Sequence, residues 1–217
     1  MNENIGNVKC IMFDFGGVFT DSPFHALTAY AKKIGSSEEA VHRLAFGGYG
    51  VDSDHPWHRV ERGEISLEQA REGILALAKA EDCVVDIYEV FMAMAENGGG
   101  LRANLVEYVG KIRAAGYGTG IITNNLLELR EHWRGMLPVD ELFDFVIDSC
   151  EVGVRKPDPV IFEKALAHSG YAPEQVIFLD DFPGNVAAAE ALQIHSILVD
   201  GDGEKTIKDL DRLLGLL

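Results

Sequence analysis

Residues Phe13 to Asp21 read FDFGGVFTD and follow the run Val8-Lys9-Cys10-Ile11-Met12. This short, mostly apolar run predicts a buried strand. Asp14 then falls where the strand ends and the chain turns, and Gly16 and Gly17 let the backbone turn tightly and approach a ligand. A carboxylate at the carboxyl end of a parallel strand lies where open α/β sheets bind ligands. There Asp14 can serve as a nucleophile, a metal ligand or both. The competing reading of D-x-G-G is a turn or helix-capping Asp, and later segments decide between them.

Five runs have strand character: Val8–Phe13, Tyr117–Thr123, Phe145–Asp148, Val176–Asp180 and Ser196–Val199. Helical segments separate the last four. Arg102–Ala115 carries Leu105, Val109 and Ile112 at helical spacing and stops at Gly116. Asp158-Pro159 opens a helix that ends near Gly170, with Asp158 as cap and Pro159 in the first turn. Gly184–Leu192 is Ala-rich and helical, and Thr206–Leu217 reads as a final amphipathic helix. Strands alternating with helices predict an α/β fold, a doubly wound Rossmann-like parallel sheet.

The gap between the first two strands is too long for one crossover. It reads as helices at His25–Ile34, Glu38–Phe46, Ser66–Ala80 and Asp86–Glu96, with Ser66 and Gln69 as a capping-box pair and Gly98-Gly99-Gly100 as the close. The expected organisation is a core of residues 1–21 and 100–217, with an inserted helical cap domain at 22–99 lying over the ligand site.

The chain has 217 residues and a formal net charge of −16, a balance that repels nucleic acid and anionic membrane. No apolar run approaches the ~20 residues that span a bilayer, and MNENIGNVKC has no secretory pattern. Cys10, Cys83 and Cys150 lack C-x-x-C spacing and read as reduced thiols of a cytoplasmic protein, monomer or homodimer. An anionic substrate needs a local cation in so acidic a chain.

Three segments supply the remaining chemistry. In Gly120-Ile121-Ile122-Thr123-Asn124-Asn125 a strand ends in a hydroxyl and two amides, and Thr123 with nearby N–H groups can bind a phosphate oxygen or simply cap a helix. In Val154-Arg155-Lys156-Pro157-Asp158-Pro159, Lys156 is either a fixed cation at the sheet edge or a solvated surface lysine. In Phe178-Leu179-Asp180-Asp181-Phe182-Pro183-Gly184-Asn185, two adjacent carboxylates close a hydrophobic strand. An N-cap accounts for one of them. The pair calls for a cation, and hard oxygen ligands suit Mg²⁺.

Together the four segments, in this order and at strand ends, resemble the haloacid dehalogenase-like superfamily over essentially the whole chain. The closer resemblance is to members with a small helical cap, sugar-phosphate phosphatases and the N-terminal phosphatase domain of soluble epoxide hydrolases. The core Asp148-Ser149-Cys150-Glu151-Val152-Gly153-Val154-Arg155-Lys156-Pro157-Asp158-Pro159 is similar to the latter. Glu61-Arg62-Gly63-Glu64-Ile65-Ser66 is similar to the former. The resemblance implies a Mg²⁺-dependent phosphatase of a small phosphorylated metabolite. Asp14 would be the nucleophile that forms an aspartyl-phosphate. Mg²⁺ would be held by Asp14, the Gly16 carbonyl and Asp181, with Asp180 ligating directly or through water. Thr123 and Asn124 would hold the phosphoryl group beside Gly16 and Gly17, and Lys156 would bridge Asp14 and the phosphate.

One position departs from the family pattern. Most superfamily phosphatases carry a second Asp two residues after the nucleophile, as acid and base, and here that position is Gly16. Losing such help typically costs about 10²–10⁴-fold in rate. Either the leaving group needs little acid, or Asp21, His25, His55 or His58 substitutes, or the protein binds a ligand or partner with little turnover. The name-giving dehalogenases also lack the second Asp, but they use no metal and have no need of the Asp180–Asp181 pair. The alternative enzyme is therefore a metal-independent 2-haloacid dehalogenase. His25, Trp57 and His58 are the expected substrate contacts from the cap, with core packing as the other reading of Trp57. The seven histidines show no zinc-binding spacing.

Overall fold

The computed structural model describes residues 5–22, 27–97 and 100–216. Five parallel strands form one sheet: β1 (Cys10–Phe13), β2 (Gly118–Thr123), β3 (Phe145–Asp148), β4 (Val176–Asp180) and β5 (His195–Leu198), in the order β3-β2-β1-β4-β5. All four residues of β1 are buried, because the strand is central and helices cover both faces. Its side chains alternate. Ile11 and Phe13 join a cluster with Ile121, Ile177 and Leu179, while Cys10 and Met12 join Ile122, Phe162 and Phe178 on the other face.

Register sets the site. Phe13 pairs with Ile121 of β2 and with Leu179 of β4. Asp14, the next residue, donates its N–H to the Leu179 carbonyl at 2.8 Å. The ends of β1, β2 and β4 therefore converge at one edge. The connections run from β1 to β2 and β3 on one side and return to β4 and β5 on the other. Asp14 sits at that reversal, where such sheets open a crevice.

Between β1 and β2 lie α1 (Leu27–Ile34), α2 (Glu38–Phe46), α3 (Pro56–Glu61), α4 (Leu67–Ala80), α5 (Ile87–Asn97) and α6 (Ala103–Ala114). Helices α1 to α5 share their own apolar cluster, built on Tyr30, Leu44, Phe46, Trp57, Ile74 and Val90. The capping box forms as expected, with Ser66 and Gln69 each accepting from the other's N–H. After β2 come α7 (Arg130–Arg134) and α8 (Val139–Leu142), and after β3 come α9 (Ser149–Val152) and α10 (Pro159–Ser169). The helical block meets this part at Gly63, which has φ +68 and where a Cβ would stand 2.5 Å from the Cys150 carbonyl oxygen. Helices α11 (Pro183–Ala191) and α12 (Gly203–Leu214) complete the chain.

Several boundaries differ from the sequence reading. The last strand begins one residue earlier, at His195. The last helix starts at Gly203, because Asp202 accepts from the Glu204 and Lys205 N–H groups, and it ends before Gly215 in the left-handed conformation. Helix α3 was not foreseen. His25 lies outside the described residues, and the first helix is described from Leu27. Among the described residues, no helix is long and apolar enough to cross a membrane.

Candidate active site

Four charged side chains meet at the carboxyl edge of the sheet. Lys156 Nζ lies 2.8 Å from Asp14 Oδ1 and 2.7 Å from Asp180 Oδ2. Lys156 is buried, so it is not the solvated lysine of the alternative reading. Asp181 stands beside them, and ligand atoms of Asp14, Asp180 and Asp181 all lie within 4.8 Å of one another.

Each group is held by its neighbours. The Asn124 side chain grips the Lys156 backbone from both ends: its Oδ1 accepts from the Lys156 N–H at 2.7 Å and its Nδ2 donates to the Lys156 carbonyl at 2.9 Å. The expected phosphate-binding amide of Asn124 is thus engaged in positioning the lysine. Asp180 accepts from the Phe182 N–H at 2.8 Å and from Asn185 Nδ2 at 3.0 and 3.1 Å, besides Lys156. Its oxygens are mostly committed, which leaves Asp14 and Asp181 as the more available carboxylates. Asn185, one helical turn beyond Asp181, had no role assigned from sequence.

Gly17 has φ +76, and a Cβ there would fall 2.1 Å from the Asp181 carboxylate. Only glycine lets Asp181 lie against the turn after Asp14. Arg102 clamps this turn from the start of α6, donating to the Gly17 and Val18 carbonyls at 2.6 and 2.7 Å.

Electrostatics follow from burial and charge. Burial pushes the Asp14 carboxyl up and Lys156 opposes it, while Asp180 and Asp181 add to the rise, leaving a pKa of about 7. Asp181 is raised by burial and then by Asp180. Burial presses the Lys156 ammonium down, but Asp14 and Asp180 together outweigh it and leave it raised. Three carboxylates against one ammonium leave a surplus of negative charge. The hard oxygen donors, the surplus and the Gly17 cradle together fit a divalent cation such as Mg²⁺.

A cavity of about 240 Å³ opens beside Gly16, Thr123 and Asn124. Trp57 lines it, as expected, and also packs edge-on against Phe46 at 4.9 Å, so contact and core roles coincide. His58 does not reach it. Its ring is fully buried, Nδ1 lies 2.9 Å from Ser53 Oγ, and burial followed by the Arg155 charge lowers its pKa to about 3. The His58 ring is thus turned inward and is absent from the lining of this cavity, where the sequence reading expects a substrate contact. His55 caps α3, its Nδ1 accepting from the Trp57 N–H at 3.2 Å. Asp21 pairs with Arg102 at 3.1 Å. Of the four residues considered as replacements for the missing acid, the three described ones are thus absent from the cavity lining.

The titratable side chains that do line the cavity are Tyr49, Glu61 and His132. Glu61 is buried on α3 and pairs with Arg155 at 2.6 Å, joining the helical block to the segment that carries Lys156. Burial raises its pKa, and Arg155 only partly reverses this. The Arg155 guanidinium also lies 5.1 Å from the Tyr49 ring centroid. Sequence spacing gives no sign of these contacts, because Arg155 lies far along the chain from both Tyr49 and Glu61.

Known proteins resemble this chain in sequence or in fold. The family model described as haloacid dehalogenase-like hydrolase matches residues 8–193. Mouse acyl-CoA dehydrogenase family member 10 is 34% identical over 211 residues, 95% of this chain but 19% of that protein. Rat bifunctional epoxide hydrolase 2 is 27% identical over 225 residues, 96% of this chain and 39% of that protein. The chain therefore spans well under half the length of these two relatives. Phosphoglycolate phosphatase of Salmonella choleraesuis is 24% identical over 209 residues, 90% of this chain and 82% of that protein. Among solved structures, a HAD-like family hydrolase from Porphyromonas gingivalis has TM-score 0.69 and 27% identity, covering 96% of this chain and 98% of its own. A HAD family enzyme from Bacteroides thetaiotaomicron, in complex with magnesium and inorganic phosphate, has TM-score 0.63 and 19% identity, covering 92% and 98%. L-2-haloacid dehalogenase from Xanthobacter autotrophicus has TM-score 0.58 and 17% identity, covering 87% and 76%. The last two show likeness of fold alone.

Proposed function

This chain belongs to the haloacid dehalogenase-like hydrolase family and is a hydrolase, and we propose that it is a Mg²⁺-dependent phosphatase of a small phosphorylated metabolite. The observation that carries the reading is the trio Asp14, Asp180 and Asp181 around one buried Lys156. Such a cluster needs a cation for its own sake, and a cation is also what an anionic phosphate needs in a chain of net charge −16. A metal-independent dehalogenase has no use for Asp181. The helical block, residues 22–99, acts as the cap and the rest as the core.

Asp14, Asp181 and the Gly16 carbonyl would hold Mg²⁺, with Asp180 ligating directly or through water. When bound, the ion offsets the carboxylates and polarises the phosphoryl oxygens. Asp14 attacks phosphorus through a carboxylate oxygen as the ester P–O bond breaks, and the departing oxygen takes the electron pair and then a proton from water. Water hydrolyses the resulting aspartyl-phosphate and restores Asp14. Lys156 favours the ionised form of Asp14, against burial, and screens it from the incoming phosphate. Thr123 and the N–H groups at the end of β2 orient the transferring group. With Gly16 in place of an acid, esters with good leaving groups react fastest.

The test is phosphate release from 4-nitrophenyl phosphate and a metabolite panel, with Mg²⁺ or with EDTA. Activity should appear with Mg²⁺ and vanish in EDTA, and a beryllium fluoride adduct should form on Asp14. Halide release from 2-haloacids in EDTA, with no phosphate release, would overturn the proposal in favour of the dehalogenase reading.

A further inference from the structure

We infer that the alcohol part of the substrate is apolar and uncharged, an alkyl or aryl group rather than a sugar or a carboxylic acid. This rests on the phosphatase reading above and concerns the same site. The cavity of about 240 Å³ beside Gly16 and Thr123 is where a group attached to the phosphate would lie. Its walls come from Phe46 and Trp57 on one side, Phe91 and Met94 on α5, and Leu129 and Trp133 from the segment after β2.

Charge points the same way. Among the described residues, no lysine or arginine lines this cavity. Its acidic member, Glu61, already has its partner in Arg155 at 2.6 Å. A second carboxylate on the substrate would be buried with no ammonium or guanidinium in the lining and His132 as the one basic side chain among the described residues there, in a chain that is already acidic. A sugar would bury several hydroxyls, while much of the polar lining is already engaged: Asn124 with the Lys156 backbone, the Asn125 N–H with Ser149 at 3.0 Å and the Asn125 side chain with the Leu126 N–H at 2.8 Å, with Thr123, Tyr49 and His132 the remaining polar side chains beside Glu61. Methylene or aromatic carbon, by contrast, gains from the aromatic and aliphatic wall residues. The specificity thus departs from that in the name of the Salmonella relative, whose phosphoglycolate carries a carboxylate.

The experiment measures kcat/KM with Mg²⁺ for straight-chain alkyl phosphates from ethyl to octyl, alongside phosphoglycolate and glucose 6-phosphate. Beyond ethyl the leaving groups are of nearly equal basicity, so the series reads binding. A buried methylene should raise kcat/KM by about fourfold until the cavity is full. Phosphoglycolate and glucose 6-phosphate should fall at least about 100-fold below butyl phosphate, the scale of a few unpaired polar groups. Met94→Lys should shift the ratio of phosphoglycolate to butyl phosphate upward by about tenfold or more. A flat chain-length series, or a preference for either polar ester, with 4-nitrophenyl phosphate still hydrolysed, would overturn this inference alone. No release from any ester, 4-nitrophenyl phosphate included, would remove the phosphatase reading and this inference with it.

Discussion

The two walls of the site are built on opposite plans. At the sheet edge, Lys156 lies within hydrogen-bond distance of Asp14 and Asp180 with Asp181 beside them, and Asn124 and Asn185 hold the Lys156 backbone and the Asp180 carboxylate. Across the cavity, the wall is mostly aromatic and aliphatic, and it is drawn from helices and loops rather than strand ends. The first wall suits charge-balanced chemistry, which tolerates little displacement. The second wall suits contact by area, which tolerates substitution. Changes at the edge should therefore remove turnover whatever the ester, and changes in the wall should redistribute preference among esters.

The largest effect should come from Asp14→Asn, which keeps shape and loses the nucleophile. Turnover of 4-nitrophenyl phosphate should drop by at least about 10⁴-fold, with the circular dichroism spectrum unchanged. Residual activity within tenfold of the parent would place the nucleophile elsewhere and break the contrast between the two walls.

Lys156→Met comes next. Asp14, Asp180 and Asp181 would then face one another without the ammonium that sits between two of them at 2.7–2.8 Å. We expect a loss of about 10²–10³-fold in kcat, the scale of removing one electrostatic group from a buried site. Mg²⁺ should raise the melting temperature of the variant more than that of the parent, because it alone then balances the carboxylates. An unchanged kcat would mean that Lys156 serves folding and not chemistry.

The two walls also differ in how legible they are in the sequence. Strands β1 to β4 could be read because they are short, mostly apolar runs closed by turn signals, and β1, β2 and β4 end in the polar residues that form the site. Two or three successive residues there carry both position and chemistry. Helix α3 escaped notice because Pro56–Glu61 is six residues holding a tryptophan, a histidine and an arginine, too short for helical periodicity to show. His58 looked like a catalytic residue for its chemical type, yet its orientation depends on Ser53 and on burial that no local pattern encodes. The cavity wall combines residues from α2, α3, α5 and the segment after β2, so only the tertiary fold brings them together.

Glu61 and Arg155 join the two walls, and separating them sharpens the comparison. Both side chains are buried and paired at 2.6 Å. Glu61→Leu alone leaves Arg155 buried without its carboxylate, and urea unfolding should show a loss of about 3–5 kcal/mol. Glu61→Leu combined with Arg155→Met should recover most of that loss. If the single and double variants are equally destabilised, the pair is not a unit, and the link between the helical block and the Lys156 segment lies elsewhere.

The smallest expected effect is a dependence of stability on pH to which the charged wall contributes through Asp14. Asp14 has a pKa of about 7 in the folded protein, against about 3.9 in an unfolded chain. Between these values the native state holds more protons than the unfolded state, so stability must fall as pH rises through about 4 to 7. Glu61 and Asp181, both raised, act in the same sense. Asp86, lowered by its hydrogen bonds to Arg71, acts in the opposite sense, with its stabilisation lost only as pH falls below its ordinary carboxylate range. In EDTA the melting temperature should therefore decline by a few degrees from about pH 5 to pH 7.5, at roughly 2–4 °C per kcal/mol for a chain of this size. Asp14→Asn should flatten much of that decline, and Mg²⁺ should restore more stability at pH 7.5 than at pH 5, because it binds the ionised carboxylates. A melting temperature that climbs over this range in EDTA would show that the acidic cluster is already neutralised without a metal.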